Sequence, residues 1–149
     1  MNPSDDWRIP PQFQPDPDEL AYDLDRALSA VVGLRANVPD DAYTAGVLGT
    51  ERAGQGAVIR EDGLVLTIGY LIAEAEEVWL TTNDGRAVQA HVVAYDHTSG
   101  FGLVQALSPL GVPALMLGSS RHVELGDPVV VAGAGGHERS MTARVVARQ

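Results

Sequence analysis

Leu64-Val65-Leu66-Thr67-Ile68-Gly69-Tyr70-Leu71-Ile72 and Asp96-His97-Thr98-Ser99-Gly100-Phe101-Gly102-Leu103-Val104 decide the reading of this chain. Glu61-Asp62-Gly63 makes a tight turn into Leu64–Thr67, so the first stretch opens as a strand entered from a hairpin. Ala30–Ala36 and Gly54–Arg60 read as two strands upstream. Downstream, Val78–Thr82 and Ala87–Tyr95 flank Asn83-Asp84-Gly85-Arg86, whose Asp-Gly pair is a strong hairpin signal. Phe101–Leu107 is the sixth strand. Short strands with short, Gly-rich connections are enough to close a small antiparallel barrel, and the fold class is all-β.

Composition bounds the rest. A chain of 149 residues fits about one domain, and 45% hydrophobic against 20% charged residues is ordinary for a globular protein. Aromatic content of 5% predicts a core of Val, Leu, Ile and Ala. No 18-residue apolar run occurs, so no membrane span is expected. Without cysteine there are neither disulfides nor thiolate metal sites. The start, Met1-Asn2-Pro3-Ser4-Asp5-Asp6-Trp7, lacks the basic and apolar regions of a secretory signal, which predicts a cytoplasmic location as written. The net charge is −10, with seven Asp/Glu against two Arg over residues 1–30 and seven against one over 61–100. No basic cluster exists, so nucleic acid is not an expected partner.

Residues 1–17 hold five of the nine prolines and read as an irregular acidic arm, either a solvated tail or a docking segment. Leu20, Leu24 and Leu28 lie four apart, with acidic residues ahead of them, and predict a short helix over 18–29. Residues 30–112 make the barrel, and 113–149 carry further strands at Pro128–Gly133 and Met141–Ala147.

These motifs resemble the first half of a trypsin-like serine protease, closest to the HtrA/Deg branch. Gly54-Gln55-Gly56-Ala57-Val58-Ile59 is similar to that family's Gly-Ser-Gly-Val-Ile strand. Leu66-Thr67-Ile68-Gly69-Tyr70 is similar to its Leu-Thr-Asn-Asn-His, and Gly100-Phe101-Gly102-Leu103-Val104 to its Asp-Ile-Ala-Val-Leu. Leu115-Met116-Leu117-Gly118, Leu125-Gly126-Asp127-Pro128-Val129 and Thr142–Ala147 resemble the inter-barrel segment and the first strands of the second barrel. The resemblance implies a trypsin-like six-stranded antiparallel barrel, plus the opening strands of an incomplete second one. It also implies that Tyr70 stands in the catalytic histidine position and Gly100 in the aspartate position. Many HtrA relatives are exported, so an exported or periplasmic setting follows if a signal was removed.

The chemistry can be checked residue by residue. A serine protease needs a nucleophile, a histidine base, an orienting carboxylate and oxyanion donors. Tyrosine has a reference pKa of about 10, so Tyr70 cannot take a serine proton at neutral pH. Gly100 offers no side chain, and loss of the orienting carboxylate alone costs about 10⁴ in turnover. The Gly-Asp-Ser-Gly-Gly nucleophile loop does not occur in these residues. Asp96 and His97 precede Gly100 on a turn, and in the resembled family Asp96 matches a loop residue outside the triad. His91 reads as an exposed strand residue, and His122 and His137 as loop residues without a second ligand at metal spacing. Gly133-Ala134-Gly135-Gly136 lacks the Gly-Lys-Ser/Thr ending of a phosphate loop and reads as a turn. Glu74, Glu76 and Glu77 read as a solvated face.

No catalytic, cofactor or metal residues are therefore expected. The expectation is a non-catalytic homologue of the family, a pseudoprotease fragment acting as a binding or regulatory module. Its partner would be a protein or peptide. Two alternatives stand beside it: part of an active serine endopeptidase whose Ser-bearing half lies elsewhere, and an inert structural module. The β-branched runs Val129-Val130-Val131 and Val145-Val146 predict homo-oligomers, or association through these C-terminal strands.

Overall fold

Period-two alternation sorts the strand residues between the inside of a barrel and its surface. The computed structural model describes residues 7–148. Its first six strands are β1 (Val31–Asn37), β2 (Glu51–Arg60), β3 (Leu64–Ile68), β4 (Glu77–Thr81), β5 (Ala87–Tyr95) and β6 (Phe101–Ala106). They form a closed antiparallel barrel in the order β1-β2-β3-β6-β5-β4. Closure comes from β1, which pairs with β2 along one edge and with β4 along the other, from Gly33↔Thr81 to Asn37↔Glu77. Val32, Leu34 and Ala36 alternate inward from β1 at 0%, 1% and 2% exposure. Val65, Val78, Leu80 and Val104 meet them at 0–1%.

The barrel is plugged at one end by α3 (Gly69–Ile72), whose Leu71 and Ile72 are buried among these residues. Burying one such side chain is worth about 1.5–3 kcal/mol. The ion pairs Arg8–Glu138 and Arg60–Asp62 have side chains more than half exposed. Exposed pairs of that kind contribute about 0–1 kcal/mol, so the interior dominates.

After β6 the chain runs along the barrel, where the Leu115 N–H donates to the Val58 carbonyl at 2.8 Å. It then forms a separate two-stranded sheet, β7 (Pro128–Ala132) and β8 (Ser140–Arg144). Gln55 ties this hairpin to the barrel. Its Oε1 accepts from the Ala134 N–H at 2.8 Å and its Nε2 donates to the Ala132 carbonyl at 3.4 Å.

Two expectations need correction. The helix predicted over 18–29 is confined to α1 (Leu24–Ser29), with Leu24 and Leu28 buried. Asp16 and Asp23 are the reason. The Asp16 side chain accepts from the Asp18 N–H and closes a 3-10 turn at Pro17–Glu19, whereas Asp23 accepts from the Arg26 N–H and starts α1. Two caps seven residues apart begin two separate turns, and Leu20 is left in the extended link between them.

The second correction concerns the arm, of which residues 1–6 lie outside the described residues. From Trp7 to Pro15 it is irregular as expected, but it docks. The Ile9 N–H donates to the Glu138 carbonyl at 2.8 Å, and the His137 Nε2–H donates to the Pro15 carbonyl at 2.7 Å. The Arg139 guanidinium lies 5.4 Å from the centre of the Trp7 ring. Hydrogen bonds, the Arg8–Glu138 pair and the burial of Pro15 hold the arm to the turn between β7 and β8.

Deleting residues 1–15 should therefore lower the melting temperature by several degrees, since two hydrogen bonds are worth about 2 kcal/mol. Amide exchange should accelerate at residues 136–140 and stay unchanged in β1 and β6. Unaltered exchange at 136–140 would mean that the arm does not support the turn.

Candidate functional site

The ends of β3 and β6 meet at the cross-strand pair Ile68↔Phe101, and there the chain direction changes twice. Beyond Ile68 it turns into α3, and the Gly69 N–H donates to the Gly100 carbonyl at 2.7 Å. Only glycine fits at 69, because a Cβ would run into the Tyr95 ring. Ahead of Phe101 the turn is organised by Asp96. Its carboxylate accepts from the Thr98 and Ser99 N–H groups at 3.2 and 3.1 Å, and its carbonyl accepts from the Gly100 N–H at 2.8 Å. The Ser99 side chain and these amides hold the Asp96 carboxyl below its ordinary value. Gly100 completes the turn in the left-handed region, at φ 77°.

The two turns thus bring Tyr70 and Gly100 to one cleft of about 420 Å³, lined also by Ile68, Tyr95, Ser99 and Phe101. Tyr70 is 46% exposed. Among the described residues no imidazole or carboxylate lines the cleft. The neighbouring His97 ring packs against Tyr95, with centroids 4.2 Å apart. The cleft can bind apolar or hydrogen-bonding groups, and none of its side chains has a reference pKa near neutrality.

What holds Tyr70 in place is a buried arginine. Arg52 is 5% exposed. Its Nη1 donates to the Tyr70 and Ala73 carbonyls at 2.6 and 2.9 Å, its Nε to the Gly49 carbonyl at 3.2 Å, and its Nη2 to Thr44 Oγ1 at 2.8 Å. The same Thr44 hydroxyl donates to Glu74 Oε2, which also accepts from the Thr44 N–H at 2.7 Å. Glu74 Oε1 accepts from the Tyr43 N–H at 3.1 Å. Arg52 and Glu74 thereby clamp the loop carrying α2 (Ala45–Leu48) to the end of α3. Glu74 adopts a positive φ of 60°, the only such non-glycine residue among those described.

Glu74 is exposed, as expected of a solvated face, and is in addition a structural acceptor. Glu77 accepts from Asn37 Nδ2 at 3.2 Å on the surface. His91 is exposed on β5, and His122 and His137 sit in 3-10 turns, away from the cleft. The Gly133–Gly136 run is a turn whose amides are already engaged. Ala134 donates to Gln55, and Gly135 to Asn83 Oδ1 at 2.8 Å. Among the described residues no group of three or more His, Cys, Asp or Glu is placed to hold a metal.

Sequence reasoning missed Arg52 and Glu74. For Arg52 a signal existed, because it shares strand parity with Gly56 and Val58 and so faces inward. For Glu74 there was none, since its role depends on a loop thirty residues away.

With this geometry in view, comparison with known proteins is informative. The trypsin-like peptidase domain family matches residues 54–149. A probable periplasmic serine endoprotease, DegP-like, from Ectopseudomonas mendocina is 31% identical over 94 residues, covering 62% of this chain and 20% of that protein. Serine protease HTRA1B of Danio rerio is 30% identical over 81 residues, covering 54% of this chain and 17% of its own length. Among solved structures, the HtrA-type protease AlgW with a tripeptide superposes with a TM-score of 0.68 at 22% identity, covering 82% of this chain and 38% of that one. The chain thus spans about a fifth of the length of the curated relatives it matches.

The clamp predicts a pH effect of definite sign. Hydrogen bonds, first from the Thr44 hydroxyl, hold the Glu74 carboxyl below the ordinary glutamate value. Its contribution is fully present above that ordinary value and is lost as the pH falls through the lower, folded one. Glu74→Gln should therefore destabilise at pH 7 and lose most of that penalty in acid, below about pH 4. Arg52→Met should cost about 3 kcal/mol at both pH values, because buried carbonyls lose their donors. Urea melts at the two pH values measure both.

Proposed function

The chain belongs to the trypsin-like peptidase domain family, and from that premise we propose that it is a non-catalytic member, a pseudoprotease that engages protein or peptide partners without cutting them. The observation that supports this best is the cleft lined by Tyr70 and Gly100, which offers phenols, one hydroxyl and apolar side chains. Tyr70 takes the position that the family resemblance gives to the general base, and Gly100 that of the orienting carboxylate. A phenol with a pKa near 10 does not accept a serine proton at pH 7, and a glycine orients nothing. Ser99 is no substitute nucleophile. Its oxygen accepts from the Phe101 N–H at 3.3 Å, and the Asp96 carboxylate beside it is too weak a base.

Recognition in this proposal uses two surfaces. One is the cleft, whose Ile68, Tyr70 and Phe101 are 46–53% exposed. The other is the hairpin β7–β8, whose strands pair with each other and, among the described residues, with no further strand. Val131 is 55% exposed there; β8 ends at Arg144, short of the expected Met141–Ala147, so Val146, 89% exposed, lies beyond the hairpin. An isolated two-stranded sheet with open edges is marginally stable and recruits further strands. The setting we propose is an exported one, as for the relatives named periplasmic, in place of the cytoplasmic location suggested by the N-terminal residues.

Two experiments test this. Incubation with casein and with a fluorophosphonate serine probe should give neither cleavage nor labelling above a heat-killed control. Labelling would restore the reading of an active endopeptidase. Sedimentation at micromolar concentration should give a species larger than one chain, and Val131→Glu should shift it towards monomer. A soluble monomer with β7 and β8 protected from exchange would remove the second surface.

A further inference from the structure

Both tryptophans of the chain, Trp7 and Trp79, face one groove of about 760 Å³ over the outer surface of β1. Its floor is low because Gly33 and Ala53 are small, and its walls come from β4, from the docked arm and from the turn between β7 and β8. Three of the ten arginines, Arg8, Arg35 and Arg139, line it, with Glu138 as the one carboxylate among the described residues.

The three arginines are not equivalent. Arg8 is bonded to Glu138 at 2.9 Å, and Arg139 stacks on Trp7. Arg35 sits at the middle of β1, exposed, and makes no hydrogen bond or ion pair to another described residue. Its cross-strand neighbour on β4 is Trp79, 41% exposed, and on β2 it is Ala53. Directly opposite residues on one face have Cβ atoms about 5 Å apart, so the two side chains leave the barrel as neighbours, and both line the groove. A second recess of about 460 Å³ shares Arg35, Ala53 and Trp79 and continues along β1 to Asn37 and Glu51. From Gly33 to Asn37 the track is about 13 Å long, the reach of four or five extended residues.

We propose that this track binds an extended, largely apolar peptide segment of a partner protein that carries one carboxylate. A carboxylate would pair with Arg35 and an adjacent apolar or aromatic side chain would lie on Trp79. Because β1 is paired on both edges, the peptide cannot join the sheet, and side chains alone recognise it. That makes the binding modest and salt-sensitive. A nucleic-acid strand fits less well. Its phosphates repeat along the whole track and would meet Glu51 and Glu138 towards the two ends, where a peptide with its one carboxylate at Arg35 places no charge.

The two tryptophans provide the readout. A Trp-free octapeptide with one glutamate between leucine and tyrosine should change their fluorescence saturably at low salt. Arg35→Gln, or glutamine in place of the peptide glutamate, should weaken binding about tenfold or more. Arg35→Lys should retain part of it, and Trp79→Leu should weaken it. Arg35→Gln should melt like the parent, since Arg35 bonds to no other described residue. Tyr70→Ala should leave the affinity unchanged, which separates this site from the cleft. Absence of saturable binding, affinity indifferent to Arg35, or tighter binding of a short oligothymidylate would each overturn the proposal.

Discussion

The pairing of β1 with β4 is the constraint on which the rest depends. It converts a six-stranded sheet into a closed barrel and removes both free edges at once. It also defines an inside, where Val32, Leu34 and Ala36 of β1 meet Val78 and Leu80 of β4. Every other feature is attached to that cylinder. Leu71 and Ile72 reach into its end and carry Tyr70 with them, while the long segment after β6 and the hairpin β7–β8 lie along its outside. If the barrel were open, α3 would have no cavity to fill and the cleft beside it no fixed geometry.

Polar contacts then decide local detail that apolar burial leaves free. Arg52 is the clearest case, because four acceptors converge on one guanidinium inside the loop end of the barrel. Burying a cation is costly unless its hydrogen bonds are satisfied, and here every nitrogen has a partner. The result is that α3, the loop around α2 and the end of β2 move as one unit. Gln55 and Asn83 play the same part for the hairpin by capturing the amides of its Gly-rich turn. The docked arm adds a third set of contacts at the same turn. Rigid attachment of an otherwise exposed hairpin suits a surface that presents itself to another polypeptide.

The barrel and the cleft were legible in the sequence to different depths. All six strands follow from alternation and from turn residues such as Asp84-Gly85. The positions of Tyr70 and Gly100 followed only from resemblance, and the cleft they share was not visible until β3 and β6 were paired. The helix over 18–29 was overextended because periodicity of leucines does not register a competing cap. The docking of the arm was missed for a related reason, since its partners, Glu138 and the His137 ring, lie more than a hundred residues away.

By itself, the sequence determined the all-β class, the strand count, the inward faces and the absence of cysteine chemistry. These depend on neighbours within a few residues, where a period of two and the conformational demands of glycine and proline are directly readable. Only the tertiary structure decided that Tyr70 and Gly100 share one cleft, that Arg52 and Glu74 clamp it, and that Arg35 and two tryptophans line one groove. Those facts arise from pairings between distant segments. Such pairings are selected by the closure of the barrel as a whole, and no local stretch of the chain encodes the distance between two residues it does not contain.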